Sequence, residues 1–384
     1  MAMAKCSLLQ VFVVFTICAV GVSGQAWSLY AGSPTGELGT ASQHRFNFPV
    51  PIAVHPKNGK VYVGNIGVDG SENLVNDVRV VSKHRSVSLL NVPGLTITEG
   101  TDIDDDSSPQ GLAVSTHALY VSDTASDHVL QHSVGPWSTL TPVLKRPGSG
   151  GGPSSRRGPD ACGLAVSHKT GLLYVADWRQ KVWKQGPHGA LGVLVELPDT
   201  ATPYDVALDH LDNVYIADYA GTVWKYDGSK LSTIGDNNTL FNDGSKGFAA
   251  PSGVAVCRHT GEVFVLDATN NAVRLYNPKR QVWSTIGGTT CRGTGFCVAG
   301  MSNEGLGSFN FTTFGGLAVD SHCNLFVADS GNHQIRKWCK RSDKKKRLRA
   351  PAAANIELDA SSLLQQMASP QMAKSDVTQK EQEL

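Results

Sequence analysis

The chain has 384 residues, of which 41% are hydrophobic and 17% charged, and its formal net charge is +1. This length allows one large domain or two ordinary ones, and the near neutrality argues against nucleic acid or an anionic membrane as the main partner. Forty glycines and eighteen prolines, spread among short runs such as Val-Tyr-Val, predict many short strands joined by turns.

Residues 1–24 have the pattern of a secretory signal peptide. Lys5 supplies the basic start, Leu8–Val20 the apolar stretch, and Val22-Ser23-Gly24 the compact residues before a cleavage site. The apolar stretch is shorter than the roughly 18–20 residues that span a bilayer, so cleavage before Gln25 is favoured over an N-terminal anchor. We therefore predict a secreted, extracellular protein without a membrane span.

One sequence unit recurs six times and is the strongest signal in the chain. Its last copy, Phe314–Trp338, reads FGGLAVDSHCNLFVADSGNHQIRKW and contains three apolar segments separated by Gly-, Asn- and Ser-rich turns. A three-stranded meander cannot bury both of its faces alone, so the copies must pack on one another. The other copies begin at Pro51, Pro109, Pro159, Pro203 and Pro251.

A fourth apolar segment lies between the copies, as at Trp137–Leu140, Leu231–Gly235 and Trp283–Gly288. Four strands per unit at a spacing of about 40–60 residues are typical of a six-bladed β-propeller. The last copy lacks a fourth strand, whereas Trp27–Gly32 near the N terminus matches the missing segment. We predict that residues 27–32 complete the last blade and close the ring, because closure removes open sheet edges.

The pattern Pro-x-Gly-Leu-Ala-Val-Asp, followed by Leu-Tyr-Val-Ala-Asp-x-x-Asn, resembles the NHL repeat. The resemblance covers residues 27–338 and implies an all-β, six-bladed propeller of four-stranded antiparallel blades. Members of that family include exported binding modules, receptor sensor domains, RNA-binding propellers and a lyase, so the resemblance leaves the activity open. The expected organisation is a signal peptide at 1–24, a propeller at 25–339, and a basic, then low-complexity and disordered tail at 340–384.

The loops between the predicted strands are long at only one end of the blades. Turns that join a first strand to a second are short, whereas the insertions join a second strand to a third or one blade to the next. These insertions are 64–77, 99–108, 145–160, 236–250 and 288–313. Loops on a rigid scaffold carry function, so we expect this long-loop face to bind the ligand.

Two sets of acidic residues on the long-loop face are candidate cation ligands. The first set ends each second strand and consists of Asn65, Asp123, Asp177, Asp218, Asp267 and Asp329. Its repetition favours a structural role in which each side chain accepts backbone N–H groups in its own turn. Asp102, Asp104 and Asp106 are weak calcium candidates, but a solvated acidic loop is favoured because the Gly and final Glu of a calcium loop are missing. No other cofactor is expected.

An exported chain is expected to carry disulfides and N-linked glycans. Six cysteines remain after the signal peptide, and an even number favours disulfides over metal ligation. The pairs that we expect are Cys291–Cys297 and Cys323–Cys339. Cys162 and Cys257 fall at opposite ends of different blades and are expected to be buried thiols. The sequons at Asn237 and Asn310 are candidate glycosylation sites.

The enzyme that the resemblance suggests is the peptidyl-α-hydroxyglycine amidating lyase, whose zinc histidines follow the proline that opens several blades. The residues at that place here are Gln110, Asp160, Tyr204, Ser252 and Gly315. No histidine occupies this place, so zinc would lack imidazole ligands there, and no nucleophile elbow is found. We therefore predict a secreted, non-enzymatic binding or scaffold propeller that recognises an extracellular protein, glycan or matrix partner through its long-loop face. A metal-dependent lyase or hydrolase of this type is the alternative.

Overall fold

The computed structural model describes residues 27–32, 46, 48–66, 77–90, 109–123, 128–133, 140–144, 161–236, 247–288, 309–311 and 315–339. All of them belong to the first of the two units, Met1–Arg341 and Ser342–Leu384, into which the chain divides. These residues form strands β1 to β24 and a short 3-10 turn at Ser330–Asn332. Among them no helix is long and apolar enough to cross a membrane.

The strands form six four-stranded sheets, which are the blades of a propeller. β1 (Trp27–Gly32) belongs to the last of them. Blade 1 contains β2 (Phe48–Val54), β3 (Val61–Ile66), β4 (Asp77–Val81) and β5 (Val87–Leu89). Blade 2 contains β6 (Pro109–Val114), β7 (Ala118–Asp123), β8 (His128–Ser133) and β9 (Leu140–Leu144). Blade 3 contains β10 (Ala161–Val166), β11 (Leu173–Asp177), β12 (Lys181–Gln185) and β13 (Leu191–Glu196).

Blades 4 to 6 repeat this arrangement. Blade 4 contains β14 (Pro203–Leu208), β15 (Val214–Asp218), β16 (Thr222–Tyr226) and β17 (Leu231–Gly235). Blade 5 contains β18 (Pro251–Val256), β19 (Val263–Asp267), β20 (Ala272–Asn277) and β21 (Val282–Gly287). Blade 6 contains β22 (Leu317–Val319), β23 (Leu325–Asp329), β24 (Gln334–Trp338) and β1, in the order β1-β24-β23-β22.

The predicted ring closure is confirmed. β1 pairs antiparallel with β24, so that Trp27 lies opposite Trp338 and Gly32 opposite Gln334. The indole N–H of Trp27 also donates a hydrogen bond of 2.7 Å to the carbonyl oxygen of Ile286 in blade 5. The N-terminal strand therefore covers the edge of β24 and ties the last blade to its neighbour.

The second strand of a blade is buried on both faces, as in β11, β15, β19 and β23. Successive side chains of a strand point to opposite faces of the sheet, and each face is covered by an adjacent blade. In β15, Tyr215 packs with Val265 of blade 5, whereas Ile216 packs with Ala176 of blade 3. The core is therefore a series of apolar layers between neighbouring blades.

The fourth strand of blade 2 differs from the prediction. It runs over Leu140–Leu144 rather than Trp137–Leu140, with Leu140 opposite His132 and Leu144 opposite Val129. The similarity to the Trp-Ser-Thr segments of other blades therefore misplaced the strand, and residues 137–139 lie outside the described residues. Pairing with β8 sets the register, which a local sequence match cannot reveal.

The predicted disulfide pairing at the last blade is wrong. Cys323 bonds to Cys257, with their Cα atoms 5.2 Å apart, and not to Cys339. Cys257 is therefore not the buried thiol that we expected, whereas Cys162 is buried. Cys257 and Cys323 lie in the first turns of blades 5 and 6, and equivalent turns of adjacent blades lie side by side. Cys339 is disulfide-bonded as well.

Candidate ligand site at the mouth of the central channel

The topology places the ends of all the long insertions on one face of the ring, because each leaves a second strand or a fourth strand. Most residues of these insertions, 67–76, 91–108, 145–160, 237–246 and 289–308, lie outside the described residues. In blades 3 and 4 the corresponding turns are short and described, at 178–180 and 219–221. The described residues therefore include the part of the long-loop face that belongs to blades 3 and 4.

The first strands of the blades line a central cavity of about 60 Å³. The register shows which residues occupy the place of the lyase histidines, because Pro49, Pro109, Ala161, Pro203 and Pro251 all lie opposite the ends of second strands. The next residues are Val50, Gln110, Cys162, Tyr204 and Ser252, and Gly315 is the equivalent in blade 6. Asp160 was wrongly assigned to this set, since Cys162 holds the position in blade 3.

Polar groups in the channel wall are arranged unequally around the ring. The hydroxyl of Tyr204 donates a 2.5 Å hydrogen bond to Gln110 Oε1, which links blades 4 and 2. Ser252 is 1% exposed, and its Oγ has no hydrogen-bond partner among the described residues. A buried hydroxyl without a partner costs free energy, so Ser252 offers a hydrogen bond that a bound molecule can satisfy.

Three aromatic side chains form a row at the long-loop end of the channel. The ring centroids of Trp178 and Tyr204 are 6.2 Å apart, and those of Tyr204 and Tyr219 are 6.3 Å apart. Trp178 is 38% exposed, Tyr219 is half-buried, and Tyr204 is buried in the channel wall. Aromatic surface beside a few converging polar groups is the usual composition of a ligand site.

Asp205 interrupts the repeat inside the channel. The equivalent residue is Pro51 in blade 1 and glycine in the remaining blades. At Gly163, for example, any residue with a Cβ atom would clash with the Asp205 carboxylate. The carboxylate accepts N–H groups from Val206 at 2.8 Å and from Val254 of blade 5 at 2.9 Å. Burial raises the pKa of Asp205 to about 7, although these two donors act to lower it.

Four of the six polar residues that end the second strands, those of blades 3 to 6, have a structural role of the kind that we favoured. Asp218 accepts hydrogen bonds from the backbone N–H groups of Thr202 and Ala220 and from the indole of Trp224, at 2.7–3.0 Å. Asp177 accepts equivalent bonds from Arg179 and Trp183. Asp267 and Asp329 likewise accept backbone N–H groups of the segments that precede their first strands. Among the described residues, no group of three or more His, Cys, Asp or Glu side chains could hold a metal ion.

The remaining candidates give little further information about the site. Asp102, Asp104 and Asp106 lie outside the described residues, as do Cys291, Cys297 and Asn237. Asn310 is described and half-buried, and its amide nitrogen donates to the carbonyl oxygen of Gly331 at 3.4 Å. Calcium binding at the acidic loop and glycosylation at the two sequons stay predictions.

Sequence reasoning missed the three residues that distinguish this site. Trp178 and Tyr219 each follow the aspartate that ends a second strand, so aligning the blades would have shown two exposed aromatics at one position. The same alignment would have shown Asp205 at a position otherwise held by glycine or proline. The sequence therefore contains a signal for these residues, but the signal is found only at positions where a blade differs from the repeat.

Neither a protein-family model nor a curated protein matches the sequence. Solved propeller structures do match the fold. A Bacteroides thetaiotaomicron VPI-5482 protein of unknown function is 16% identical, with 82% of this chain and 76% of that chain covered and a TM-score of 0.61. An auxiliary nutrient binding protein from the same organism is 14% identical, with the same coverage and a TM-score of 0.59.

An enzyme also shares the fold. Virginiamycin B lyase from Staphylococcus aureus is 11% identical, with 77% of this chain and 96% of that chain covered and a TM-score of 0.50. Similarity at such low identity establishes a common propeller fold and carries no information about the reaction or the ligand.

Proposed function

We propose that the protein is an exported, non-enzymatic binding propeller of NHL-repeat type, whose long-loop face recognises an extracellular protein, glycan or matrix ligand. The observation that carries this proposal is the aromatic row of Trp178, Tyr204 and Tyr219 beside the unpartnered hydroxyl of Ser252. The Cys257–Cys323 disulfide supports an oxidising compartment.

The site is suited to a ligand that presents a flat apolar face and at least one hydrogen-bonding group. Trp178 and Tyr219 offer ring surface at little entropic cost, because aromatic side chains have few rotatable bonds. Tyr204 is held by its bond to Gln110, so the row is already ordered before a ligand arrives. A sugar ring or a peptide with a proline or aromatic side chain would satisfy these requirements.

A metal-dependent lyase or hydrolase is the second candidate, and Asp205 is the observation that favours it. A carboxyl group with a pKa of about 7 in a channel wall can act as a general base near neutral pH. The lyase histidine positions nevertheless hold Val50, Gln110, Cys162, Tyr204, Ser252 and Gly315. Five of these six residues are poor zinc ligands, so the channel does not fit a zinc site of the lyase type.

The binding proposal can be tested with an oligosaccharide array and a panel of purified extracellular matrix proteins. We expect a ligand whose affinity falls at least about tenfold in Trp178→Ala/Tyr219→Ala, because central aromatic contacts carry much of the binding energy. Tyr226→Ala is the matched control, since Tyr226 lies at the other end of blade 4 and bonds to Gly228. Equal affinities of the two variants would contradict the assignment of the face.

The enzyme candidate requires a separate measurement. The purified protein would be incubated with zinc or calcium and a hydroxyglycine peptide, and metal content and turnover would be measured together. Turnover that disappears in Asp205→Asn would replace the binding proposal with the lyase or hydrolase. Absence of turnover in wild type, together with retained ligand binding, would support the binding proposal.

A further inference from the structure

The face opposite the long-loop face, which we call the short-turn face, has an uneven distribution of charge. Its turns join first to second and third to fourth strands. In blades 1 to 3 the described turns, 55–60, 82–86, 115–117, 167–172 and 186–190, contain no Asp or Glu, and neither does 134–139 in the sequence. They contain Lys57, Lys60, Lys83, Arg85 and Lys169, together with His55, His84, His117, His168 and His188. We call these ten residues the basic arc.

The cations of the basic arc are available to a partner. All five Lys and Arg side chains are exposed, and none forms an ion pair with a described residue. Arg85 rests over the ring of Tyr30, with its guanidinium carbon 5.8 Å from the ring centroid. Carboxylates of neighbouring blades act on the same groups, since Asp320 acts together with Arg85 on the pKa of Tyr30, and Asp212 acts on the pKa of His168.

Blades 4 to 6 provide an internal comparison. Their described short turns carry both signs of charge, which largely cancel. The acidic residues are Asp209, Asp212, Asp227, Glu262 and Asp320, and the basic ones are Lys230, Arg258, Lys279 and Arg280. Among the described short turns, the net positive charge is therefore concentrated in blades 1 to 3, although the whole chain carries a formal net charge of only +1.

We infer that the basic arc binds a sulfated polysaccharide. A chain with a sulfate on most sugar units can contact cations spread over several turns at once, and no single deep pocket is needed. Surface cations without competing carboxylates create a positive potential that attracts such a polyanion, and salt weakens the attraction.

Other polyanions fit the basic arc less well. The five described turns contain no Phe, Tyr or Trp on which nucleic acid bases could stack, and Trp137 is the one aromatic residue in the sequence of the turn at 134–139. The Cys257–Cys323 disulfide indicates an oxidising compartment, where sulfated glycans are abundant and nucleic acids are not. None of the large apolar side chains that are exposed lies in these turns, so an anionic membrane would find nothing to insert.

Heparin is a suitable probe, and calorimetry with the full chain can test the location of the site. Lys344, Lys345, Lys346 and Arg347 would first be changed to Gln, so that the separate basic run of the tail does not contribute. Lys57→Gln/Lys83→Gln/Lys169→Gln removes three charges from the arc, and Lys230→Gln/Lys279→Gln/Arg280→Gln removes the same number from blades 4 and 5. We expect the first variant to weaken binding at least about tenfold and the second less than about twofold.

Four results would overturn the inference. They are an equal loss of affinity in the two lysine and arginine variants, equal binding of desulfated heparin, tighter binding of single-stranded DNA or phosphatidylserine vesicles, and heparin binding that vanishes with the tail substitutions alone. None of these results depends on the aromatic row, so the inference and the proposed function can fail independently.

Discussion

Blade 4 shows how the two faces of the propeller differ. At its long-loop end, Asp218 is buried and accepts three hydrogen bonds that hold the incoming chain and Trp224 in place. At its short-turn end, Asp227 is exposed, and the N–H groups of Lys230 and Ser229 lower its pKa to about 2. The same residue type thus organises the interior at one face and a single solvated turn at the other.

This difference explains why the two faces are suited to different partners. On the long-loop face, buried aspartates hold the turns of blades 3 and 4, and the next residues, Trp178 and Tyr219, come to lie at the channel mouth. On the short-turn face, the lysine and arginine side chains of the turns in blades 1 to 3 are exposed to solvent, and their charges decide what approaches. One face offers aromatic surface beside a channel, and the other offers an arc of charge.

The largest effect on stability is expected on the short-turn face, from loss of the disulfide between blades 5 and 6. Cys257→Ala/Cys323→Ala should lower the free energy of unfolding by about 4 kcal/mol, because the bond closes a loop of 66 residues. Chemical denaturation measures this change. Cys162→Ala, a buried position near the channel, is the control and should cost less. Equal midpoints for wild type and the double variant would contradict the prediction.

A smaller loss is expected from the buried aspartate of the long-loop face. Asp218→Ala leaves the N–H groups of Thr202 and Ala220 and the indole of Trp224 without their acceptor, at a cost of about 3 kcal/mol. Asp227→Ala, in the same blade, removes an exposed turn carboxylate and should have little effect. If denaturation shows similar losses for both variants, burial does not distinguish the two faces.

The stability of the channel should depend on pH through Asp205. Its folded pKa of about 7 lies above the unfolded value of 3.8, so the folded state binds this proton more tightly. The resulting stabilisation is complete below the unfolded pKa and is lost as the pH rises through about 7. Relative to Asp205→Asn, wild type should lose about 2 kcal/mol between pH 5 and 7. Parallel stability curves for the two proteins would show that the carboxyl group titrates normally.

The smallest effect on stability is expected at the exposed end of the aromatic row. Trp178→Ala should lower the free energy of unfolding by less than about 1 kcal/mol, because the side chain is 38% exposed. Trp183→Ala, in the next strand of the same blade, also removes the indole that donates to Asp177 and should cost more. The comparison is made by thermal denaturation, and a larger loss for Trp178→Ala would give that residue a structural rather than a ligand-binding role.

Much of the fold could be predicted because each blade repeats a local pattern. The alternation of apolar residues and the turn signals located β11, β15, β19 and β23 within a residue or so. The missing fourth strand of the last copy correctly indicated that Trp27–Gly32 closes the ring. The prediction of the fourth strand of blade 2 failed, because the segment at Trp137 resembles the fourth strands of other blades but is not the one that pairs with β8. Strand pairing and not local similarity sets the register.

Little of the candidate site could be predicted in this way. A single strand contains no information about which residues of other blades lie beside it. Tyr204 meets Gln110, although 94 residues separate them, and Cys257 meets Cys323 across a blade boundary. The expected pairing of Cys323 with Cys339 failed for the same reason, since it relied on positions within one blade.

The sequence by itself determined the repeat, the number of blades, the ring closure and the face that carries the long insertions, because all of these follow from periodicity along the chain. Only the tertiary structure decided which of the residues that depart from the repeat lie next to one another. The ring brings Trp178, Tyr204 and Tyr219 together at one mouth of the channel and gathers the unopposed cations of blades 1 to 3 at the other face. The physical reason is that contacts between blades depend on the closure and register of all the sheets.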